Sequence, residues 1–472
     1  MSLDKLLISP DNKERESPRQ AREYARKQAG LHSALLAPIR RLPDELLSDI
    51  FLLAEDTYWW NQPAGRRVLE FAQVCSLWRR IALNATPRLW RVLKIDELNN
   101  PAGKWASQLL VELERSGGVP LDLQLGADCR HYLAEIVWSN ILWLRLCQQA
   151  GRWESVSLIN IPSHAYRLLM PPLLSFPVLH TLYFELEQVM EAADVPVHYF
   201  ELAPLVSDFS ILYSYPLSQP LKLPKSWQLS KLRVHAGQQY PDYRIPIKDG
   251  LPPLAPCIPT VFARAANLRI LCVYADILGM NPQTLPVTTF PALEDLDIAR
   301  AAIQLCRRMV APRLQKAFLR GASRVHPSVA IEGYMDDMEH PMLAFAEMVD
   351  ASSGCPDLRT LELDDFSEYP NNIVACFLRV PSVTELYMSD AEEEPRLLIT
   401  PIIVWWLTCR GQSGPLILPR LTSLTLVAGS ENPYRGMEAA KAYHALVASR
   451  SSPMVVDGNE LPCLEHYEFP DF

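Results

Sequence analysis

Two hydrophobic rhythms divide the chain. Between Ile39 and Trp90, apolar residues recur at three- and four-residue intervals, the period of an amphipathic helix. Pro43 can occupy a first helical turn, where its missing N–H costs nothing, and Asp44 and Glu45 follow where the helix dipole favours acids. Leu46, Leu47, Ile50, Phe51 and Leu53 continue as an apolar stripe, and the polar stretch Glu55 to Arg66 interrupts it. A second helical stretch places Val68, Leu69, Ala72, Cys75, Trp78, Ile81 and Ala82 on one side, with Arg66, Arg67, Arg79 and Arg80 mostly on the other. Pro87 ends it and opens a short turn carrying Leu89 and Trp90.

Beyond residue 100 the rhythm shortens to two. The pattern Pro-x-Φ-x-x-Φ-x-Φ, with Φ a bulky apolar residue, begins at Pro171, Pro177, Pro204, Pro291, Pro356, Pro381, Pro419 and Pro462. Chance would supply roughly two such matches in a chain of this length. Near-matches at Leu229-Leu232-Val234, Leu268-Leu271-Val273 and Leu314-Ala317-Leu319 fill gaps. Physically, the pattern is a turn entering a short strand whose alternate residues face inward, and each unit needs neighbours to bury that face. The long intervals from 314 to 358 and from 383 to 421 call for inserted helices or loops. Leu133 to Cys147 has the spacing of a linking helix, and residues 1–34 read as a polar tail or frayed helix.

Composition narrows the function. The 472 residues are 49% hydrophobic and can bury a large core, and the net charge of −9 disfavours nucleic acid or anionic membrane as the main partner. Ten scattered cysteines with no CxxC pair read as reduced, mostly buried small hydrophobes. The N-terminus has no long apolar run, and Ile399 to Cys409 is about half a membrane span and contains Pro401, so an intracellular protein is expected. On that expectation the sequon at Asn84 is incidental.

Candidate chemistry is thin. Gly411-Gln412-Ser413-Gly414-Pro415 lacks the second glycine of a nucleophile elbow, and no P-loop, GxGxxG or HExxH motif occurs. Cys129 and His131 have no further ligands at metal-site spacing, and Asp336-Asp337 and Glu392-Glu393-Glu394 read as solvated loop charge. No catalytic, cofactor or metal residue is expected. Of the tryptophan pairs, Trp59-Trp60 sits in a polar loop suited to partner contact, whereas Trp405-Trp406 reads as core.

The helical segment carries a resemblance. Ile39-Arg40-Arg41-Leu42-Pro43-Asp44-Glu45-Leu46-Leu47-Ser48-Asp49-Ile50-Phe51, then Val74-Cys75-Ser76-Leu77-Trp78-Arg79-Arg80-Ile81-Ala82 and Pro87-Arg88-Leu89-Trp90, is similar to the F-box in the form common in mushroom-type fungi. The link between the halves is longer than usual, and Ser76 stands where a basic residue is frequent. The later strand pattern resembles leucine-rich repeats. The fold expected is therefore α/β overall, a small all-α F-box over 35–92 followed by an irregular leucine-rich-repeat-like solenoid over 93–472. The resemblance implies a non-catalytic substrate-recognition subunit of a Skp–cullin–F-box ubiquitin ligase, in the cytoplasm or nucleus. Ile39, Leu42, Pro43, Glu45, Leu46, Ile50, Phe51, Val74, Trp78, Leu89 and Trp90 are the implied contacts with a Skp-family adaptor, which joins the chain to cullin and a RING subunit. The repeats would hold an unknown protein substrate. The alternatives are a ligase-independent repeat scaffold and a hydrolase whose site escapes motif inspection.

Overall fold

A computed structural model of the chain describes residues 22–30, 39, 42–56, 64–96, 103–126, 145–159, 174–186, 196–213, 221–236, 258–275, 282–321, 340–364, 368–390, 398–409, 416–428, 437–456 and 459–469. Trp59-Trp60, Cys129, His131, most of Leu133 to Cys147, Asp336-Asp337, Glu392-Glu393-Glu394 and Gly411 to Pro415 lie outside them. The chain divides into two compact units, Met1–Leu93 with Ser107–Val119, and Lys94–Ala106 with Pro120–Phe472.

In the first unit, α1 (Asp44–Asp56), α2 (Ala64–Val74) and α3 (Ser76–Arg80) pass through a π-helical turn, Ile81–Ala85, into a 3-10 turn, Pro87–Trp90. Pro43 lies just before α1 and its carbonyl accepts from the Leu47 N–H, 3.1 Å away. The second helical stretch is broken rather than continuous. Cys75 is extended, and its thiol caps α3 by accepting from the Trp78 N–H at 3.5 Å. Leu47, Phe51, Val68, Ile81, Ala82, Leu89 and Trp90 form the core, and the Phe51 ring stacks on Phe71 at 4.6 Å with Trp78 edge-on at 4.9 Å. The indole of Trp90 donates to the Ala82 carbonyl at 3.0 Å, while Arg115, from α4 (Gly103–Arg115), lies over its ring at 4.6 Å. Outside this core, a helix over 22–30 presents almost entirely exposed side chains.

The expected fold needs correction at this point. No small all-α domain stands apart at 35–92: β1 (Val92–Asp96) starts directly after the 3-10 turn as the first strand of the sheet, and Ser107–Val119, most of it from α4, joins the helices. Nor is the remainder an irregular repeat solenoid. It is an α/β arrangement in which 13 of the described strands join one sheet in chain order, from β1 through β2 (Leu121–Gly126) and β3 (Trp153–Ile159) to the C-terminal β17 (His466–Glu468). The described pairings within that sheet are all parallel. The reason is that neighbouring strands satisfy one another's backbone groups, with one register shift between Leu121 and Asp122, so unequal spacing in sequence is absorbed by the connections.

Four residues after Pro177, Pro204, Pro291, Pro356, Pro381, Pro419 and Pro462 begin β4 (Thr181–Leu186), β5 (Asp208–Tyr213), β9 (Asp295–Arg300), β12 (Thr360–Asp364), β13 (Glu385–Ser389), β14 (Ser423–Val427) and β17 (His466–Glu468). The near-matches form β6 (Lys231–Ala236), β7 (Ile270–Ala275) and β11 (Lys316–Arg320). The match at Pro171 opens no described strand. Just before each strand a backbone rung joins successive turns, as in Thr384 N–H to Arg359 O at 2.8 Å and Thr422 N–H to Thr384 O at 2.8 Å. Along the strands, residues such as Leu182, Phe209, Leu232, Leu271, Leu296, Leu361 and Leu386 stand in register and are buried, and the alternate residues are mostly half-buried.

After α5 (Ile258–Ala263), helices α6 (Pro341–Ala351) and α8 (Pro401–Leu407) occupy the long intervals, and α7 (Pro370–Phe377) lies in the shorter interval between them. Buried carboxylates hold their starts. Glu368 accepts from the Met342 N–H (3.1 Å), the Tyr369 N–H (2.8 Å) and the Asn372 side chain (2.9 Å), satisfying donors at the beginnings of α6 and α7. Asp390 accepts from the Leu398 and Ile399 N–H groups at 2.7 and 2.9 Å. On α8 the buried side is Ile403, Val404 and Leu407, and Trp405 is 49% exposed, so the expectation that this tryptophan is core is corrected. Its position one residue past Val404 turns it some 100° away from the inward side. Among the described cysteines, Cys147, Cys272, Cys306, Cys355 and Cys376 are buried and all are free.

Candidate functional site

Helix α1 has apolar residues on two sides. Leu47 and Phe51 point into the core with no exposed surface, whereas Leu46, Ile50 and Leu53 are 49%, 37% and 70% exposed. Positions i, i+4 and i+7 lie on one side of a helix, so these three form a continuous apolar strip. Core formation does not require it. The helix carries Asp44 and Glu45 in its first turn, and Asp44 pairs with Arg80 at 2.8 Å, fixing the start of α1 against α3. Ser48 reinforces the same face through a 2.7 Å hydrogen bond to the buried Thr86.

The expected adaptor contacts sort by this geometry. Ile39, Pro43, Glu45, Leu46, Ile50 and Val74 are exposed, while Leu42 and Trp78 are half-buried against the core. Phe51, Leu89 and Trp90 are buried in the core of the unit. Leu69, read as inward-facing, is 49% exposed, because Val68 and Ala72 one turn apart take the inward side of α2.

The sheet carries a second candidate surface that the sequence did not single out. On the side opposite the buried residues, Tyr274 donates to Asp297 at 2.6 Å, and Asp297 pairs with Arg320 at 3.4 Å. The Arg320 guanidinium lies 5.7 Å from the Tyr274 ring centre, and the His235 ring is 4.4 Å from Tyr274. Burial, together with Asp297, raises the Cys272 thiol to about 11, which leaves it a poor nucleophile. Burial also raises the Tyr274 phenol, with the hydrogen bond to Asp297 adding to it. Cys272 and Asp297 are the x positions of the Φ-x-Φ pattern, and His235, Tyr274 and Arg320 each follow its last Φ. Alternation along a strand is the signal that assigns them to a shared face.

His235 is held below the usual imidazole range, chiefly by burial; Arg233, Arg320 and Arg300 act the same way and Asp297 opposes them. The folded protein therefore protonates His235 later than the unfolded chain does as pH falls. Stability is expected to decline on acidification below about pH 6.5, until the lowered folded value is passed. His235→Gln should flatten this decline in unfolding temperatures measured between pH 7 and 5; an unchanged slope would assign it to other groups.

No protein-family model matches the chain, and no curated protein matches it. Among the described residues, no group of His, Cys, Asp and Glu could hold a metal ion, and no helix is long and apolar enough to cross a membrane.

Proposed function

We propose that the chain is a non-catalytic substrate-recognition subunit of a Skp–cullin–F-box ubiquitin ligase. In this reading the exposed strip of α1, with Ile39, Pro43 and Val74, meets a Skp-family adaptor that leads to cullin and a RING subunit. The second unit holds a protein substrate on its sheet, in the cytoplasm or nucleus. The chain itself transfers nothing; it raises the local concentration of substrate at the ubiquitin-charged enzyme.

The observation that carries this reading is the second apolar side of α1. A helix that has already buried Leu47 and Phe51 gains nothing in water from leucine and isoleucine at 46, 50 and 53, so the strip is explained by a partner that covers it. The order and spacing of Leu42-Pro43, Ile50-Phe51 and Trp78 support the choice of partner.

Affinity capture of the tagged full chain is expected to recover adaptor and cullin together in comparable amounts. Adaptor without cullin would favour a ligase-independent scaffold instead. Recovery of neither would overturn the reading.

A further inference from the structure

We propose that the outward side of β9, β11, β12 and β13 binds a protein segment through an arginine side chain. This deepens the reading that the sheet holds a protein substrate, by giving that substrate a chemistry.

Register places Asp297, Phe318, Glu362 and Tyr387 opposite one another on four successive strands. Strands lie about 4.8 Å apart, so these side chains are neighbours: acid, aromatic, acid, aromatic. All four are half-buried, and each alternate residue beside them in the strand is turned into the core. A guanidinium is recognised by this pair of groups, because a carboxylate accepts its planar N–H edge and an aromatic ring accepts its face. The chain uses the same chemistry on itself. Arg320 pairs with Asp297 at 3.4 Å and lies 5.7 Å from the centre of Tyr274.

The pattern recurs at Glu362, between Phe318 and Tyr387, with the field unbalanced. The outward positions of these strands hold Asp295, Asp297, Glu362, Asp364 and Glu385 against Lys316 and Arg320. Consistent with that excess, the Glu362 carboxyl is raised above its ordinary value, first by burial and then by Asp297, Asp364 and Glu385, with Arg320 opposing. A partner's cation would relieve this repulsion. Lysine serves less well in a half-buried, ring-flanked position, since an ammonium is more strongly hydrated and has no planar face to stack. Four strands side by side span about 15 Å, the length of roughly five residues of extended chain, which suits a peptide segment.

The test uses the full chain and two fluorescein-labelled hexapeptides of equal charge, one alternating arginine and glycine, the other lysine and glycine. Fluorescence anisotropy at physiological ionic strength is expected to show the arginine peptide binding about tenfold tighter or better. Glu362→Gln with Asp364→Asn should weaken it by about tenfold or more, while Glu114→Gln with Glu201→Gln, which removes equal charge elsewhere, should change it less than about threefold. Tyr387→Ser should erase the preference for arginine over lysine. Equal binding of the two peptides, equal losses in the two double variants, or no binding would each overturn the proposal. Cullin recovery in affinity capture is read independently, so failure here leaves the ligase reading to stand or fall by itself.

Discussion

Leu46→Glu combined with Ile50→Arg is expected to abolish adaptor capture while leaving the N-terminal unit folded. Both side chains are exposed, at 49% and 37%, so replacing them removes little packing. The two new charges are chosen to suit the helix. Glutamate at 46 lies in the first turn of α1, where the dipole favours an acid, and arginine four residues later completes a favourably oriented i,i+4 pair. Against a partner the same change is severe, because both charges would lose their hydration in an apolar contact, and their attraction to each other does not offset that cost. The loss in adaptor affinity should be about 3 kcal/mol or more, the scale of an interface hot spot. Titration of purified adaptor against wild type and variant checks it. Binding of wild-type strength by the variant would remove α1 from the interface.

The second large effect lies one residue further along the same helix. Phe51→Ala should destabilise the N-terminal unit by about 3–5 kcal/mol, the cost of deleting a buried aromatic ring and leaving a cavity. Phe51 has no exposed surface, and its ring holds Phe71 at 4.6 Å and Trp78 at 4.9 Å, so three aromatic side chains lose contact together. Hydrogen exchange of peptides from 42–93 is the appropriate readout, because unfolding of the whole chain would mix two units. Protection in α1 to α3 should collapse in Phe51→Ala and persist in Leu46→Glu/Ile50→Arg. Equal loss of protection in both would mean that the exposed strip is structural after all.

Local periodicity made several elements readable in advance. A strand begins four residues after Pro177, Pro204, Pro291, Pro356, Pro381, Pro419 and Pro462 because Φ-x-x-Φ-x-Φ already states which residues must face away from water. Leu47, Phe51, Val68 and Ile81 fell on inward sides for the same reason, at the helical period. Periodicity could not say that Leu46 and Ile50 lie outside the core while Phe51 lies within it. All three belong to one apolar stripe, and only the positions of α2, α3 and the turn at Pro87 decide which part of it is covered.

Cys75 is a similar case, since an extended residue capping α3 leaves no mark on a stripe that runs smoothly from Val68 to Ala82. The expected fold class, a small all-α domain followed by an irregular solenoid, also failed, because both halves of that expectation rested on local spacing and not on pairing between distant residues. Pairing of strands across the whole chain, and the joining of Ser107–Val119 to the first unit, are decided by hydrogen bonds and burial between residues far apart in sequence. The row Asp297, Phe318, Glu362 and Tyr387 shows the same division. Alternation within each strand settles which side each residue takes, but only the parallel register, set by backbone hydrogen bonds between strands, brings the four side by side.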